Sequence, residues 1–195
     1  MSRFDRELVG AVVRPRSTMA ALAEARAPAG GLFAVLTLAG TYSTFCLVLW
    51  ASGHAPSRPG AFGLIPAEGY YLAQAAFLPL LFPLLWLILG GAAHVVARAM
   101  GGRGDLRAGL AALGFAYGAP LTLAYVLPDL LVFLVFGFDA MVTGMRLYGP
   151  LALGWTLWLC TVAVRESYRM GTGPAAVAVF AGFVAQGIVG GLFIR

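Results

Sequence analysis

Residues 70–96 read YYLAQAAFLPLLFPLLWLILGGAAHVV and contain no Lys, Arg, Asp or Glu. A helix needs about 20 apolar residues to cross the hydrocarbon core of a bilayer, so this stretch is long enough for one crossing. Four further stretches of similar length are also free of these charged residues: 30–52, 108–127, 148–164 and 174–194. The sequence therefore predicts an all-α, polytopic integral membrane protein.

Composition excludes a soluble globular protein. Of the 195 residues, 61% are hydrophobic and 11% are charged, and the mean hydropathy is +0.87. Soluble domains average about 25% charged residues, so this chain has too few to cover a water-facing surface. The net charge is +5, and every basic residue is Arg. Arginines between apolar stretches are typical of orientation signals and headgroup contacts, and no nucleic-acid-binding motif accompanies them. We therefore expect membrane lipids as partners and no nucleic acid.

Residues 1–29 form a basic segment before the first apolar stretch. Phe4, Leu8 and Val12 recur at four-residue spacing between charged residues, which predicts a short amphipathic helix in the headgroup layer. Pro15 should end that helix, and a second short helix should follow it. A disordered basic tail is the alternative. The segment has no early apolar h-region, so we expect the first span to act as the targeting signal.

The third apolar stretch leaves the number of crossings open. Between Arg107 and Asp139 the only charged residue is Asp129, and this stretch is too long for one crossing and short for two. Arrangements with five or six spans each place ten arginines inside and three outside when the N-terminus is cytoplasmic. The positive-inside rule therefore supports that orientation without fixing the count. The arrangement with six spans would bury Asp139 near the middle of a helix, at a cost of about 3 kcal/mol without a partner. This cost favours five.

The predicted organisation is a cytoplasmic amphipathic segment, residues 1–29, followed by a transmembrane domain, residues 30–195. Pro128 and Asp129 should lie at the far interface, because about 20 residues from Arg107 already cross the bilayer. We place the spans at 30–52, 70–96, 107–127, 148–164 and 174–194, with residues 130–138 as an interfacial extension of the third.

Three short segments carry a family resemblance. Residues 94–107 read HVVARAMGGRGDLR, a helix end with a histidine followed by a Gly-Gly loop. Residues 114–120 read GFAYGAP and precede Pro128, and residues 14–19 read RPRSTM. Together these segments resemble the Yip family (Ypt-interacting-protein-like membrane proteins). The resemblance implies five transmembrane helices and a cytoplasmic N-terminus.

The resemblance does not by itself assign a role. Eukaryotic members of the Yip family are associated with small Rab-type GTPases and vesicle traffic. The Ala- and Arg-rich, Lys-free composition of this chain is instead typical of a high-GC bacterium. We therefore expect a multi-pass protein of the bacterial inner membrane, a setting for which that vesicular role cannot simply be carried over.

The turn that resembles the family also holds the densest group of basic residues between two spans. His94 precedes Arg98 by four residues, so both share one face at the end of the second span. With Arg103 and Arg107 they form our candidate site for lipid headgroups or protein partners. The structural alternative is a histidine bonded to carbonyl groups of the last helical turn, next to a glycine run that serves as a tight turn.

Five further candidates lie within or beside the apolar stretches: Tyr117, Pro120, Pro128, Asp129 and Gln186. By residue count Tyr117 and Gln186 fall near the middle of the membrane, where they predict either a polar path or hydrogen bonds between helices. The two prolines are candidate hinges. Asp129 is either a functional intramembrane acid or the cap of the helical piece that follows it.

The sequence shows no catalytic or metal-binding set. It contains 2 His and 2 Cys, and both cysteines, Cys46 and Cys160, fall inside apolar stretches. Neither an H-E-x-x-H nor a Gly-x-Ser-x-Gly motif is present. We therefore expect no metal, no cofactor and no enzymatic activity.

The preferred functional hypothesis is a non-enzymatic membrane scaffold that organises lipids, or membrane or cytoplasmic protein partners. The pairs Gly114/Gly118 and Gly187/Gly191 predict close approach of helices, either within the fold or in a homo-oligomer. The main alternative is a small transporter or channel-like protein with a polar path between kinked second and third helices. A lipid-active enzyme is a third hypothesis with little support from the residues.

Overall fold

The structure is a computed structural model that describes residues 2–56 and 65–193. Two short helices, α1 (Arg3–Val13) and α2 (Pro15–Ala25), precede the long helix α3 (Pro28–Ala51). A 3-10 turn (Ala67–Gly69) leads into α4 (Tyr70–Ala99). The remaining elements are α5 (Leu106–Leu121), a π-helical turn (Thr122–Val126), α6 (Leu127–Phe136), α7 (Phe138–Tyr168) and α8 (Thr172–Phe193).

The predicted fold class is confirmed. Five stretches of the described residues are long and apolar enough to cross a membrane: Pro28–Ala51, Ala67–Ala99, Leu106–Phe136, Phe138–Tyr168 and Thr172–Gly191. Successive spans alternate in direction, so the starts of α3, α5 and α8 and the ends of α4 and α7 meet at one end of the bundle. The helices α1 and α2 lie at this same end, which we call the basic end. The opposite end is the distal end.

The two short N-terminal helices begin at local sequence signals. The Ser2 hydroxyl oxygen accepts from the Asp5 amide, and the Asp5 carboxylate accepts from the Ser2 amide, which makes a capping box at the start of α1. Pro15 does more than end α1, because it occupies the first turn of α2. A proline is tolerated there because the first turn of a helix does not use its amide hydrogens.

The third span differs from the prediction. Residues 106–136 form one helical stretch of 31 residues through α5, the π-helical turn and α6, and so continue past Pro128 and Asp129, which we expected at the far interface. Within the turn, the Leu127 amide bonds to the Thr122 carbonyl five residues earlier, and this wider turn accommodates Pro128 in the next one. The helix ends at Gly137, whose φ of 86° is accessible to glycine.

The fourth span consequently starts earlier than expected. Residues 130–138, predicted as an interfacial extension, divide between the end of α6 and the first residue of α7. The helix α7 begins at Phe138, directly after Gly137, rather than near residue 148. Asp139 therefore stands exposed in the first turn of a span and is not buried in its middle.

The centre of the bundle is α5. Every residue from Ala108 to Pro120 is buried against neighbouring helices. A methyl group added at Gly114 would overlap the backbone of Gly31, and one at Gly118 would lie 2.7 Å from the Ala34 carbonyl oxygen. Glycine is therefore required where α5 touches α3, which is how small residues join membrane helices.

Candidate functional site

The N-terminal helices cover the basic end of the bundle. The Phe4 ring lies 4.7 Å from that of Phe33 and 5.6 Å from that of Phe115, measured between ring centroids. Ala11 and Met19 are completely buried. The apolar faces of α1 and α2 thus pack on the bundle, and their charged faces remain exposed beside it.

His94 is a structural contact between two spans. Its Nδ1 atom lies 2.8 Å from the hydroxyl oxygen of Tyr168, which is fully buried at the end of α7. Gly109 makes room for this tyrosine, because a methyl group there would lie 2.7 Å from the same hydroxyl oxygen. The partner of His94 is therefore a side chain of another span and not a carbonyl of its own last turn.

Arg98 and the glycine loop hold the end of α4 against α7. Arg98 Nη1 donates to the Gly102 carbonyl at 3.0 Å, and the Gly102 amide bonds to Ala97 at 2.8 Å. The Arg103 amide donates to the Tyr168 carbonyl at 2.9 Å. Since these amides have partners in the protein, the loop has the properties of a tight turn and not of a phosphate-binding loop.

A cleft of about 410 Å³ opens beside this turn. Its lining includes three arginines from three separate segments: Arg26 at the end of α2, Arg103 in the loop before α5, and Arg169 after α7. Carboxylates share the cleft, and Arg26 Nη1 lies 3.2 Å from Asp105 Oδ2. Of the four basic-end residues proposed from sequence, only Arg103 lines this cleft; His94, Arg98 and Arg107 do not.

Sequence reasoning missed Arg26 and Arg169 as part of this group. Both residues end a helix with positive φ, 48° and 52° respectively, a conformation in which glycine is the usual residue. The available signal was an arginine directly after each helix. That signal does not reveal that α2 and α7 end side by side, which depends on tertiary packing.

Positive charge is in excess at the basic end. Its elements and loops contain ten arginines: Arg3, Arg6, Arg14, Arg16, Arg26, Arg98, Arg103, Arg107, Arg165 and Arg169. The same segments contain five carboxylates: Asp5, Glu7, Glu24, Asp105 and Glu166. Among the described residues, ion pairs hold only Arg3, Arg26 and Arg165 of this set. The other seven arginines have no carboxylate partner, and all of these except Arg98, which donates to the Gly102 carbonyl, are free to meet an external negative charge.

Tyr117 and Gln186 meet inside the bundle. Gln186 Nε2 donates to the Tyr117 hydroxyl oxygen at 2.6 Å, and both side chains are buried. They line a crevice of about 310 Å³ together with Leu85, Leu121 and other apolar residues. Gln186 Oε1 is buried without a hydrogen-bond partner. The pair fits the interpretation of hydrogen bonding between helices, while the crevice leaves room for a polar path.

Asp129 lies in the distal half of the bundle, away from the Tyr117–Gln186 pair. Its exposure is 2%, and its Oδ1 atom accepts a hydrogen bond from the Tyr148 hydroxyl group of α7. It does not cap α6, as one interpretation expected, because that helix continues from the π-helical turn and has no side-chain cap. Pro120 and Pro128 lie on either side of the same turn.

The part of the chain that the structure describes contains no group of three or more His, Cys, Asp or Glu side chains able to hold a metal ion. Cys46 and Cys160 are buried as free thiols, each inside a span. The polar groups that do converge are the arginines of the basic end, the Tyr117–Gln186 pair, and the neighbourhood of Asp129.

Comparison with known proteins places the chain in a family. No curated protein and no solved structure that was compared with the chain matched it. The family model described as the Yip1 domain matches residues 9–194, from within α1 to the end of α8. The match spans all five candidate membrane helices and the turn that contains His94 and Arg98. The chain therefore belongs to the Yip1 family of multi-pass membrane proteins.

Proposed function

We propose that this Yip1-family protein is a non-enzymatic membrane scaffold that gathers anionic lipids or acidic protein partners at its basic end. The observation that carries the proposal is the group of seven arginines there without a carboxylate partner. Each arginine near an anionic membrane surface contributes about 1 kcal/mol of attraction. A set of this size supports stable retention of an anionic ligand.

Hydrogen bonds fix the backbone around Arg103, and this supports a binding role for the arginines. The Arg103 amide donates a hydrogen bond to the Tyr168 carbonyl. Asp105 caps the helix α5 that follows, because its Oδ1 atom accepts from the Ala108 amide at 2.8 Å. Fixed backbone positions reduce the ordering cost of binding, so charged side chains presented from them lose less entropy when a ligand arrives.

The orientation in the membrane belongs to the same proposal. Positive residues in short loops are retained in the cytoplasm, so the basic end and the N-terminus are assigned to the cytoplasmic side of a bacterial inner membrane. Cytoplasmic leaflets are also the anionic ones, which agrees with the ligand proposed. Labelling single-cysteine variants of intact cells with an impermeant thiol reagent tests this assignment, and labelling at the basic end from outside would contradict it.

Native mass spectrometry from mild detergent tests the scaffold proposal. The test variant changes Arg103, Arg107 and Arg169 to Gln, and leaves Arg26 and Arg98 in their structural contacts. Arg146→Gln is the matched control, because Arg146 is an exposed arginine toward the other end of α7. We expect the wild type and the control to carry anionic phospholipid or a partner protein, and the triple variant to lose it. A wild-type spectrum that contains only bare monomer would overturn the proposal.

The crevice at Tyr117 and Gln186 favours a second candidate function, a small transporter. It lies between α4, α5, α7 and α8, and Tyr117 and Gln186 form part of its lining. The variant Gly187→Cys, in a protein from which Cys46 and Cys160 have been removed, places one thiol in the crevice. The reactivity of that thiol shows whether water or lipid fills the crevice. Reaction with a charged, water-soluble thiol reagent would support a solute path, and reaction only with membrane-soluble reagents would exclude one.

A further inference from the structure

The distal half of the bundle contains a second polar group, which we call the distal cluster: Tyr42, Cys46, Tyr71, Gln74, Tyr125, Asp129 and Tyr148. Its members come from α3, α4, the π-helical turn, α6 and α7. Tyr148 donates to Asp129, and Cys46 Sγ donates to Gln74 Oε1 at 3.5 Å. Electrostatic interactions link Asp129 with Tyr42, Tyr71 and Tyr125. One carboxyl group thus lies among four tyrosines.

Asp129 has no cationic partner in the described residues. The titratable groups that interact with it are Tyr148, which donates to it, and Tyr42, Tyr71 and Tyr125; the Cys46 thiol interacts with Tyr42 and Tyr71. Arg146 and Asp139 of α7 are exposed, and His54 stacks on Phe138 with ring centroids 4.5 Å apart. The Tyr148 hydroxyl donates to this buried carboxyl group, and ionising a buried carboxyl group without a counter-charge is costly.

The π-helical turn sets the rotation of α6 and so directs Asp129 into the distal cluster. One extra residue in a helical turn rotates everything that follows by about 100°. The turn directly precedes α6 and contains Tyr125, which interacts with Asp129. Such single π turns occur frequently at functional sites, because they re-aim side chains at a cost in helix stability. Here the turn directs an acid into the protein in a span that otherwise has no charge after Arg107.

We propose that Asp129 is a proton-binding site, and that proton uptake there weakens the contact between α6 and α7. The proton comes from water and bonds to a carboxylate oxygen of Asp129, so no other reactant is needed. With the carboxylate ionised, the bond from Tyr148 is charge-assisted, and such bonds are roughly twice as strong as neutral ones. Protonation removes that advantage, while Gln74 Nε2, buried without a partner in the cluster, offers spare hydrogen-bonding capacity for rearrangement.

Asp129 lies near the distal end of the bundle and close to the junction of α6 with α7. Asp129 lies seven residues before the end of α6 at Phe136, which corresponds to about 10 Å along the helix from the distal end. Only Gly137, with a φ of 86°, separates α6 from α7, so a single residue joins the two helices. The site is at the other end of the molecule from the arginine group, so it does not depend on the scaffold proposal.

Infrared difference spectroscopy across a pH titration tests the binding step. We compare the wild type with Asp129→Asn, with Tyr148→Phe, and with Asp139→Asn, an exposed acid ten residues further on, as the matched control. On acidification the wild type and the control should share a carboxyl C=O band, distinct from those of the water-exposed acids, and Asp129→Asn should lose it. In Tyr148→Phe the band should move to higher frequency, because a hydrogen bond to the carboxyl is gone. This second variant keeps the test valid if Asp129→Asn does not fold.

Hydrogen exchange tests the mechanical step in the same samples. Protection of the amides of residues 137–141, measured against the intrinsic exchange rate at each pH, should fall in the wild type once Asp129 is protonated and should not change with pH in Asp129→Asn. A carboxyl band that is the same in the wild type and in Asp129→Asn overturns the proton site. A band that behaves as expected, together with protection of residues 137–141 that does not change with pH in the wild type, overturns the effect on the α6–α7 contact.

Discussion

The Tyr168 hydroxyl oxygen lies 2.8 Å from His94 Nδ1, and this hydrogen bond joins the end of α7 to α4. Tyr168 is completely buried, and its backbone carbonyl also accepts from the Arg103 amide. One residue therefore holds the last turns of two spans and the loop between α4 and α5. The basic end of the bundle is organised around it.

Removing this hydrogen bond should destabilise the protein. Tyr168→Phe should lower the free energy of unfolding by about 1 kcal/mol, because a buried bond is lost and a ring nitrogen is left unpaired. His94→Leu should cost a similar amount, and the double variant should cost little more than either alone. Unfolding by denaturant in detergent micelles, followed by circular dichroism, measures all three. Costs that simply add would show that the two residues act independently.

Gly114 should be far less tolerant than Gly187. Gly114→Ala places a methyl group in the backbone of Gly31 and should cost about 1–3 kcal/mol through separation of α3 from α5. Gly187→Ala is the matched control, because a methyl group there has nothing within 4 Å. Thermal unfolding in detergent compares the two. A control variant that is as unstable as Gly114→Ala would mean that Gly187 makes a close contact, as between protomers.

The Tyr117–Gln186 pair predicts an order of stability. Gln186→Leu removes one hydrogen bond together with an unpartnered acceptor, Oε1, so its cost should stay within about 1 kcal/mol. Tyr117→Phe leaves both polar ends of the buried glutamine unpaired, at an expected cost of about 1–3 kcal/mol. Equilibrium unfolding of the two variants decides the order, and a larger cost for Gln186→Leu would contradict it.

Asp105 should act mainly as a helix cap. Asp105→Ala should cost about 1 kcal/mol, because the Ala108 amide at the start of α5 loses its acceptor. Asp105→Asn keeps the cap and loses only the exposed ion pair with Arg26, and such pairs contribute about 0–1 kcal/mol. Comparing the two melting curves separates the roles. Equal destabilisation by both variants would assign the energy to the ion pair.

The approximate places of the spans could be predicted from the sequence, because unpaired charge is costly to bury in hydrocarbon and most charged residues therefore lie near the ends of the helices. Their number rested on the cost of burying Asp139 and on the family resemblance, since the arginine count fitted five and six spans equally. The resemblance of residues 94–107 and 114–120 to the Yip family is confirmed by the family match to residues 9–194. The end of the third span could not be read this way. Its single interior acid, Asp129, bonds to Tyr148 of another helix and lies within a helical stretch that continues to Phe136, so its charge does not mark the end of the helix.

The candidate site was only partly visible in the sequence. His94 and Arg98 share a helical face, as their spacing predicts, but what each one contacts was not predictable from that spacing. Tyr168 follows His94 by 74 residues and meets it through the packing of α4 on α7. Arg26 and Arg169 join Arg103 for the same reason.

The sequence alone therefore determined the membrane class, the helical content and the family, since charge and apolar length act locally along the chain. Tertiary structure alone decided which polar groups meet: His94 with Tyr168, Gln186 with Tyr117, and Asp129 with Tyr148. The physical reason is that each pair depends on the rotation of one helix against another. Glycine contacts such as Gly114 on Gly31 set that rotation, and so does the single π-helical turn after α5.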